Sequence, residues 1–332
     1  MAVMVVAVGG SAGAVEALES LVAGFPADLD AAVLVTVHIP ATSRSALPRI
    51  LTRAGPLPAA HAEDGAPVAR GTILVAPPDR HLLVHAGRVR LGGGPRVNRH
   101  RPSVDVMFTS AARWAGPDLL AVVLSGALDD GAVGAALAAR AGARIFVQSD
   151  ARFAGMPRAA GMAAPDATAV PLAELATVLT TAVRRRQAPA AHHVADGGGT
   201  TMNMAESGDP LFLSADESRL TRMACPECGG SLAQIDLPTI SYYRCHVGHQ
   251  WSPESLVDAQ ADAAEAKLWA AVATLEEEAA LRRHLAENRT GLTPDRAAAD
   301  LDHAGRHLRG AQRATALARL IRDRLNRTDA ET

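Results

Sequence analysis

The sequence predicts an α/β fold, a three-layer, doubly wound and mostly parallel sheet, followed by a small cysteine-anchored module and an α-helical tail. Three observations predict it. Short, continuous apolar runs alternate with helix-like segments through the first 187 residues. Cys225, Cys228 and Cys245 fall within 21 positions of one another. Beyond them, apolar residues recur at spacings of three and four.

The strand candidates are 4–8, 31–37, 72–76, 119–124 and 144–147, apolar enough to be buried on both faces. Helix-like segments at 15–23, 45–53, 104–114 and 131–141 lie between them, and 171–186 reads as a closing helix. Residues 81–91, with Gly87 at the turn, read as an inserted β-hairpin. With hydrophobic residues at 48 % and aromatics at only 3 %, the core must be built from Ala, Val and Leu. The expected division is an α/β domain over 1–187, a linker over 188–219, the cysteine module over 220–251 and a helical hairpin over 252–332. In the last of these, Ser252 is placed to N-cap a helix with Pro253 at its first position. Leu268, Val272, Leu275 and Ala279 would pair with Leu301, Ala304, Leu308 and Ala311. The net charge of -2 gives no pull toward nucleic acid or anionic lipid. Neither a signal-peptide pattern nor a membrane-length apolar run is present, so the expected location is the cytoplasm, without membrane insertion.

Gly9-Gly10-Ser11-Ala12-Gly13 is a G-x-S-x-G turn between a strand and a helix, the context in which a nucleophilic serine is presented on a sharp, strained turn. A glycine turn that binds phosphate at the helix start fits the same residues, and the turn does not decide between them. Two further strand ends bear on the choice. Strand 31–37 runs into His38, and strand 119–124 runs into Ser125-Gly126-Ala127-Leu128-Asp129-Asp130. In a parallel sheet these ends share one edge, so serine, imidazole and carboxylate can converge as a Ser-His-Asp triad. The helix start behind Ser11 would offer backbone N–H groups, that of Ala12 included, to an oxyanion.

The stretches AVGGSAGAVEAL, VTVHIP, GTILVAPPDRHLLV, GPRVNRHRPSVDVMF, VVLSGALDDGAVG and GMPRAA, in order over residues 3 to 183, resemble the catalytic domain of CheB-type protein-glutamate methylesterases of bacterial chemotaxis. The resemblance implies a triad of Ser11, His38 and Asp130, with Asp129 at a variable position. It also implies an oxyanion donor at the backbone of Ala127, where the family usually has methionine. The implied reaction is hydrolysis of glutamate γ-methyl esters on a chemoreceptor-like protein, releasing methanol, with deamidation of glutamine as a second activity. A companion methyltransferase pathway would supply the ester. Such enzymes generally carry an N-terminal receiver domain, whereas the matching segment here starts at residue 2, so phosphorylation control in cis is not expected. Arg99 and Arg101, with His100, either line the substrate cleft or brace a loop around Asp105.

Cys225-Pro226-Glu227-Cys228-Gly229-Gly230 is a C-P-x-C-G knuckle, and sixteen residues separate Cys228 from Cys245-His246-Val247-Gly248-His249. That is the spacing of a zinc ribbon, with residues 242–244 as the strand entering the second knuckle. Cys225, Cys228 and Cys245 would ligate a structural zinc, with His249 favoured over His246 as the fourth ligand for its similarity to the R-C-x-x-G-H segment of related proteins. No cofactor is expected in catalysis. The ribbon and tail suit a docking or homodimerising appendage. The alternative to an esterase is a catalytically degenerate domain that uses the same cleft as a signalling scaffold.

Overall fold

Apolar runs too short to bury a helix face form a seven-stranded sheet in this computed structural model, which describes residues 3–43, 45–185, 218–288 and 293–328. The order is β1 (Met4–Gly10), α1 (Ala14–Ala23), β2 (Ala31–Val37), α2 (Leu47–Ala54), β3 (Ala59–His61), β4 (Ile73–Val75), the hairpin β5 (His81–His85) and β6 (Arg88–Gly92), then α3 (Val104–Ala115). It continues with β7 (Leu119–Val123), α4 (Ala132–Arg140), β8 (Arg144–Gln148), α5 (Gly155–Ala163), β9 (Thr168–Val170) and α6 (Leu172–Arg185). The strands lie in the order β3-β4-β2-β1-β7-β8-β9, and every neighbouring pair is parallel.

Alternate residues of each strand feed opposite layers, as the pleat requires. Met4, Val6 and Val8 pack with α1, α2 and α6 on one face. Val5 and Ala7 pack with α3, α4, α5 and the hairpin on the other. Since the crossovers run both ways from β1, the order reverses there, and the carboxyl ends of β1, β2 and β7 border the crevice where such sheets hold their sites.

Three elements were not read from the sequence. β3 and β9 are three-residue edge strands, too short to show a period. In α5, Gly155, Pro157 and Gly161 hide a helix that is held by burial of Met156 and Ala160.

After residue 217, β10 (Ser218–Ala224), β11 (Ser231–Asp236), β12 (Ser241–Cys245) and β13 (Gln250–Trp251) form an antiparallel sheet. It is docked on the α/β layers. Ile235 and Tyr242 pack with Leu83, Val97, Val106 and Val133. At the β11–β12 turn, Leu237 and Ile240 cover Ala132, Ala136 and Ala163, and the Thr239 hydroxyl donates to the Ala163 carbonyl at 2.5 Å. The chain divides into two compact units, Met1–Leu256 and Val257–Thr332, so the small sheet belongs to the first. The expected linker lies outside the described residues apart from 218 and 219.

The second unit is built from α7 (Pro253–Asn288, from Val257 onward) and α8 (Pro294–Thr328). Among the described residues its buried ones are Ala259, Val272, Ala279, Ala304, Ala311 and Ala318, all but Ala259 at intervals of seven along each helix. Arg282 pairs with Glu278 one turn earlier on α7 at 2.9 Å and with Asp300 across the seam at 3.2 Å. The expected seam residue Leu301 instead faces solvent, 47 % exposed, because small alanines let the helices close over a narrow strip. Among the described residues no helix is long and apolar enough to cross a membrane.

Candidate active site and metal centre

Ser11 follows β1 directly, and its N–H donates to the Ser125 carbonyl at 2.9 Å, tying the ends of β1 and β7 together. The left-handed residue of the turn is Gly13, at φ 72, which starts α1. The serine itself is not at positive φ, so the expected strain at the nucleophile position is absent and the glycine takes the unusual conformation instead. His38 follows β2, and its N–H donates to the Gly10 carbonyl at 3.3 Å. Its imidazole Nε2 lies 2.7 Å from Asp130 Oδ2, the two side chains being 7 % and 2 % exposed. Ser11 and His38 thus directly follow β1 and β2, and Asp130 lies on the connection from the neighbouring β7 to α4. Among the described residues the Ser11 hydroxyl makes no hydrogen bond.

Asp130 is gripped by the start of α3. The Ser103 hydroxyl donates to its Oδ1 at 2.8 Å and the Val104 N–H to its Oδ2 at 2.7 Å. That approach needs Gly9, because a Cβ there would come within 2.2 Å of Val104 Cγ1. Two more buried carboxylates repeat the device. Asp105 accepts the Gly134 N–H at the start of α4, at 2.6 Å. Asp129 accepts the N–H groups of Glu254 at 2.8 Å and Ser255 at 3.1 Å, at the start of α7. The expected cap, Ser252, turns its hydroxyl instead to Asn98 Oδ1 at 3.1 Å, since Asp129 already satisfies the first turn. Three helix N-termini are therefore matched to three buried aspartates.

Burial would raise all three carboxyls, but they differ in what opposes it. For Asp130, hydrogen bonding and attraction from His38, with the hydrogen bond from the Val104 N–H, more than offset burial and hold it well below the usual range. Asp105 is pushed well up by burial and then by the neighbouring Asp130 charge. Asp129 is pushed up to about 6, burial outweighing its bonds to Ser255 and Glu254. Asp130 thus carries the charge beside the imidazole.

Asn98 joins two of these carboxylates, its Nδ2 lying 2.9 Å from Asp105 Oδ2 and 3.0 Å from Asp130 Oδ1. His100 stacks on His38, with ring centroids 3.5 Å apart and planes 7° from parallel. Burial, then the neighbouring His38, pushes His100 down to about 3, so the stacked ring is neutral. Arg101 is committed elsewhere. Its Nε and Nη2 bind Asp79 Oδ1 at 2.9 and 2.6 Å, and its Nη1 binds the Gly93 and Gly94 carbonyls. Arg99 is exposed at φ 69. The network around Asp105 exists, but Asn98 and the Gly134 N–H form it. Among the described residues, the N–H groups of Ala12 and Ala127 donate to no protein acceptor.

In the small sheet, one ligand atom from each of Cys225, Cys228, Cys245 and His249 lies within 4.8 Å of the others, a cluster that could hold a metal ion. The Cys228–Cys245 sulfurs are 3.6 Å apart, and His249 Nδ1 is 3.8 Å from Cys225 Sγ and 3.5 Å from Cys245 Sγ. A tetrahedron with metal–sulfur bonds of about 2.3 Å has edges of roughly 3.8 Å, so the donor set fits such an ion. His249 Nε2 faces Glu227 at 3.7 Å, and Glu227 is in turn near Arg96 at 3.8 Å. His246 is not in the cluster and is exposed.

The CheB methylesterase family model matches residues 6–179. The chain belongs to the CheB methylesterase family. A protein-glutamate methylesterase/protein-glutamine glutaminase of Anaeromyxobacter dehalogenans is 44 % identical over 163 residues, covering 47 % of this chain and 45 % of that one. A protein of the same name from Yersinia pestis is 40 % identical over 161 residues, covering 47 % and 46 %. The Thermotoga maritima CheB methylesterase catalytic domain superposes with a TM-score of 0.52 at 26 % identity, covering 55 % of this chain and 100 % of that one. The chain spans about half the length of the curated relatives it matches.

Within this CheB methylesterase domain, sequence reading missed Asn98, Ser103 and the stacking role of His100. All three lie in the NRHRPSVD motif, which drew attention to its arginines because charge is easier to read than hydrogen bonding. Glu227 behind His249 gave no signal beyond standing inside the first knuckle.

Proposed function

We propose that the chain hydrolyses γ-methyl esters of glutamate on a chemoreceptor-like protein, releasing methanol, and deamidates glutamine at the same cleft, releasing ammonia. The observation that carries this reading is the short His38–Asp130 bond beside Ser11 at the point where the sheet order reverses. Asp130, ionised under its donors, accepts a proton-bearing Nε2 and leaves Nδ1 as the base nitrogen. His100 holds the ring plane by stacking. As substrate seats, Ser11 Oγ closes on Nδ1, gives it the hydroxyl proton and attacks the ester carbon. The imidazolium then passes that proton to the departing methoxide or amide nitrogen. Water attacks the acyl-serine through the same base and releases the glutamate carboxylate. The N–H groups of Ala12 and Ala127 receive the oxyanion, and replacing methionine by Ala127 leaves a backbone donor unchanged. Arg99, exposed beside the cleft, is assigned to substrate contact and Arg101 to bracing the cleft wall.

The four-donor cluster is assigned to zinc, which when bound would cross-link two knuckles of a sheet too small to bury a core alone; no step of the ester chemistry passes through it. The working boundaries are an esterase domain over 1–187, a linker over 188–219, a zinc ribbon over 220–251 and a helical tail over 252–332. The location is cytoplasmic, with a methyltransferase supplying the ester. The tail is assigned to homodimerisation, which the exposure of Leu281, Leu317 and Leu320 supports. Sedimentation of the full chain should give a dimer, and the double variant Leu317→Glu, Leu320→Glu a monomer.

Methanol release from a methylated receptor fragment tests the activity. Wild type should release it, and Ser11→Ala, folded by its melting curve, should not. A wild type that binds the fragment without releasing methanol would point to a degenerate scaffold.

A further inference from the structure

The family-matched segment ends at residue 179, yet the shell around the proposed triad aspartate is completed from residues 250–255. Asn98 is the joint. It is 1 % exposed and sits at φ 51. On one side its amide nitrogen donates to Asp130 and Asp105, as described. On the other, its Oδ1 accepts the Ser252 N–H at 2.6 Å and the Ser252 hydroxyl at 3.1 Å, and its own N–H donates to the Gln250 carbonyl at 2.8 Å. Every polar group of this side chain is thereby committed, two donor contacts to the esterase carboxylates and both acceptor contacts to the C-terminal segment. The next carboxylate along the chain, Asp129, is bound to that segment directly, through Glu254 and Ser255. Two neighbouring aspartates are therefore tied to residues 250–255, one directly and one through an amide.

The segment has its own anchor. Gln250 is the residue after His249, the nitrogen donor of the four-ligand cluster, and Trp251 is 2 % exposed. Strand β13 also pairs through Gln250 with Val97, beside Asn98. Metal ligation fixes the position of His249, that fixes Gln250 and Ser252, and these fix the Asn98 amide. An unpinned Asn98 would leave the Asp130 carboxylate held only by the donors at the start of α3, so that its alignment toward His38 would be less firmly fixed.

We propose that Asn98 is a positioning residue for Asp130, held in register by the C-terminal segment, so that loading of the cysteine–histidine cluster governs alignment of the triad. The inference rests on the functional reading of Asp130 given above and adds a control to it: the small sheet acts on the ester chemistry without touching substrate.

The test uses the full chain, zinc-loaded, after chelation and after zinc is restored. The first readout is independent of hydrolysis, namely the downfield proton NMR signal of the imidazole N–H shared by His38 and Asp130, assigned by its loss in His38→Gln. It should be present with zinc, broaden or vanish on chelation and return with zinc. Asn98→Gly tolerates the positive φ while deleting the amide. It should keep its zinc, melt lower because buried partners lose their hydrogen bonds, and show a shifted or missing signal in both metal states. For hydrolysis, kcat in Asn98→Gly should fall by about 10–100-fold with KM unchanged. Chelation should lower kcat in wild type and have little further effect in the variant. If Asn98→Gly does not fold, Ser252→Ala removes one contact to the same oxygen and should weaken the signal and its response to zinc. A wild-type signal and kcat indifferent to chelation would overturn the proposal, as would losses from chelation and from Asn98→Gly that simply multiply. An imidazole signal that follows zinc in a protein that releases no methanol would retain the coupling and reject the esterase reading.

Discussion

Asp130 accepts hydrogen bonds from an imidazole, a hydroxyl, an amide and the backbone of α3, and that crowd keeps a fully buried carboxyl ionised. Asp130→Asn replaces an acceptor by a group that can donate, so His38 would hold the wrong tautomer. We expect kcat to fall by about 10³–10⁴-fold with zinc content unchanged, measured as methanol release. A loss under tenfold would remove Asp130 from the triad. A second residue-scale prediction concerns His81, which is 1 % exposed and receives the Ser103 N–H at 3.3 Å on Nδ1 while Nε2 faces the Pro95 carbonyl at 3.0 Å. Burial pushes it down to about 4. Between that value and the ordinary 6.5, the unfolded chain binds the proton and the folded one does not. Stability is therefore full above pH 6.5 and falls as the pH drops, by about 2 kcal/mol from His81 at pH 5. His100 acts in the same direction. Asp129 opposes them by about 1 kcal/mol, because a carboxyl raised to about 6 favours the folded state as it takes up a proton below that pH, and Asp105, also raised by burial, opposes them too. The drop in urea midpoint from pH 7 to pH 5 should be smaller in His81→Gln than in wild type, and an equal change in the two proteins would contradict the assignment of neutral His81.

At the scale of elements, the small sheet has little core of its own, and the proposed ligands would make up the difference. Leu232, Ile235, Tyr242 and Trp251 are its only large buried apolar residues among those described, and two of them pack outward onto the esterase layers. Cys225→Ser should release about one zinc per chain, read by a colorimetric chelator, and leave β10–β13 open to proteolysis; retention of stoichiometric metal would remove Cys225 from the ligand set. The same elements show what a sequence can reveal. β1, β2 and β7 were legible because they are buried on both faces and so carry unbroken apolar runs; the residues past their ends offered Ser11, His38 and the pair Asp129 and Asp130, and the family resemblance chose Asp130. The cysteine knuckles were legible because ligand chemistry fixes spacing. The docking of β11 and β12 on α4 and α5 was not, since it rests on Leu237, Ile240 and a strip of alanines that have no pattern of their own. Asn98 was hidden for a related reason: its partners Ser252 and Gln250 lie more than 150 residues away, and only the fold brings them together.

For the whole molecule, the division at Leu256 has an energetic consequence. The small sheet shares its apolar contacts and its buried hydrogen bonds with the esterase layers, whereas the Val257–Thr332 hairpin is held by an alanine seam and ion pairs of its own. Cooperative unfolding follows shared contacts and not the order of the chain. Two transitions are therefore expected in calorimetry of the full chain. With zinc bound to the native ribbon as proposed, its removal should lower the transition of the first unit. That shift should be absent from the hairpin's transition, identified by truncating the chain after residue 256. Chelation that moves both transitions equally would mean the hairpin draws its stability from the ribbon. Chelation that moves neither would mean the apolar contacts of Ile235 and Tyr242 hold the sheet unaided, and the link from metal to Asn98 would lose its first step.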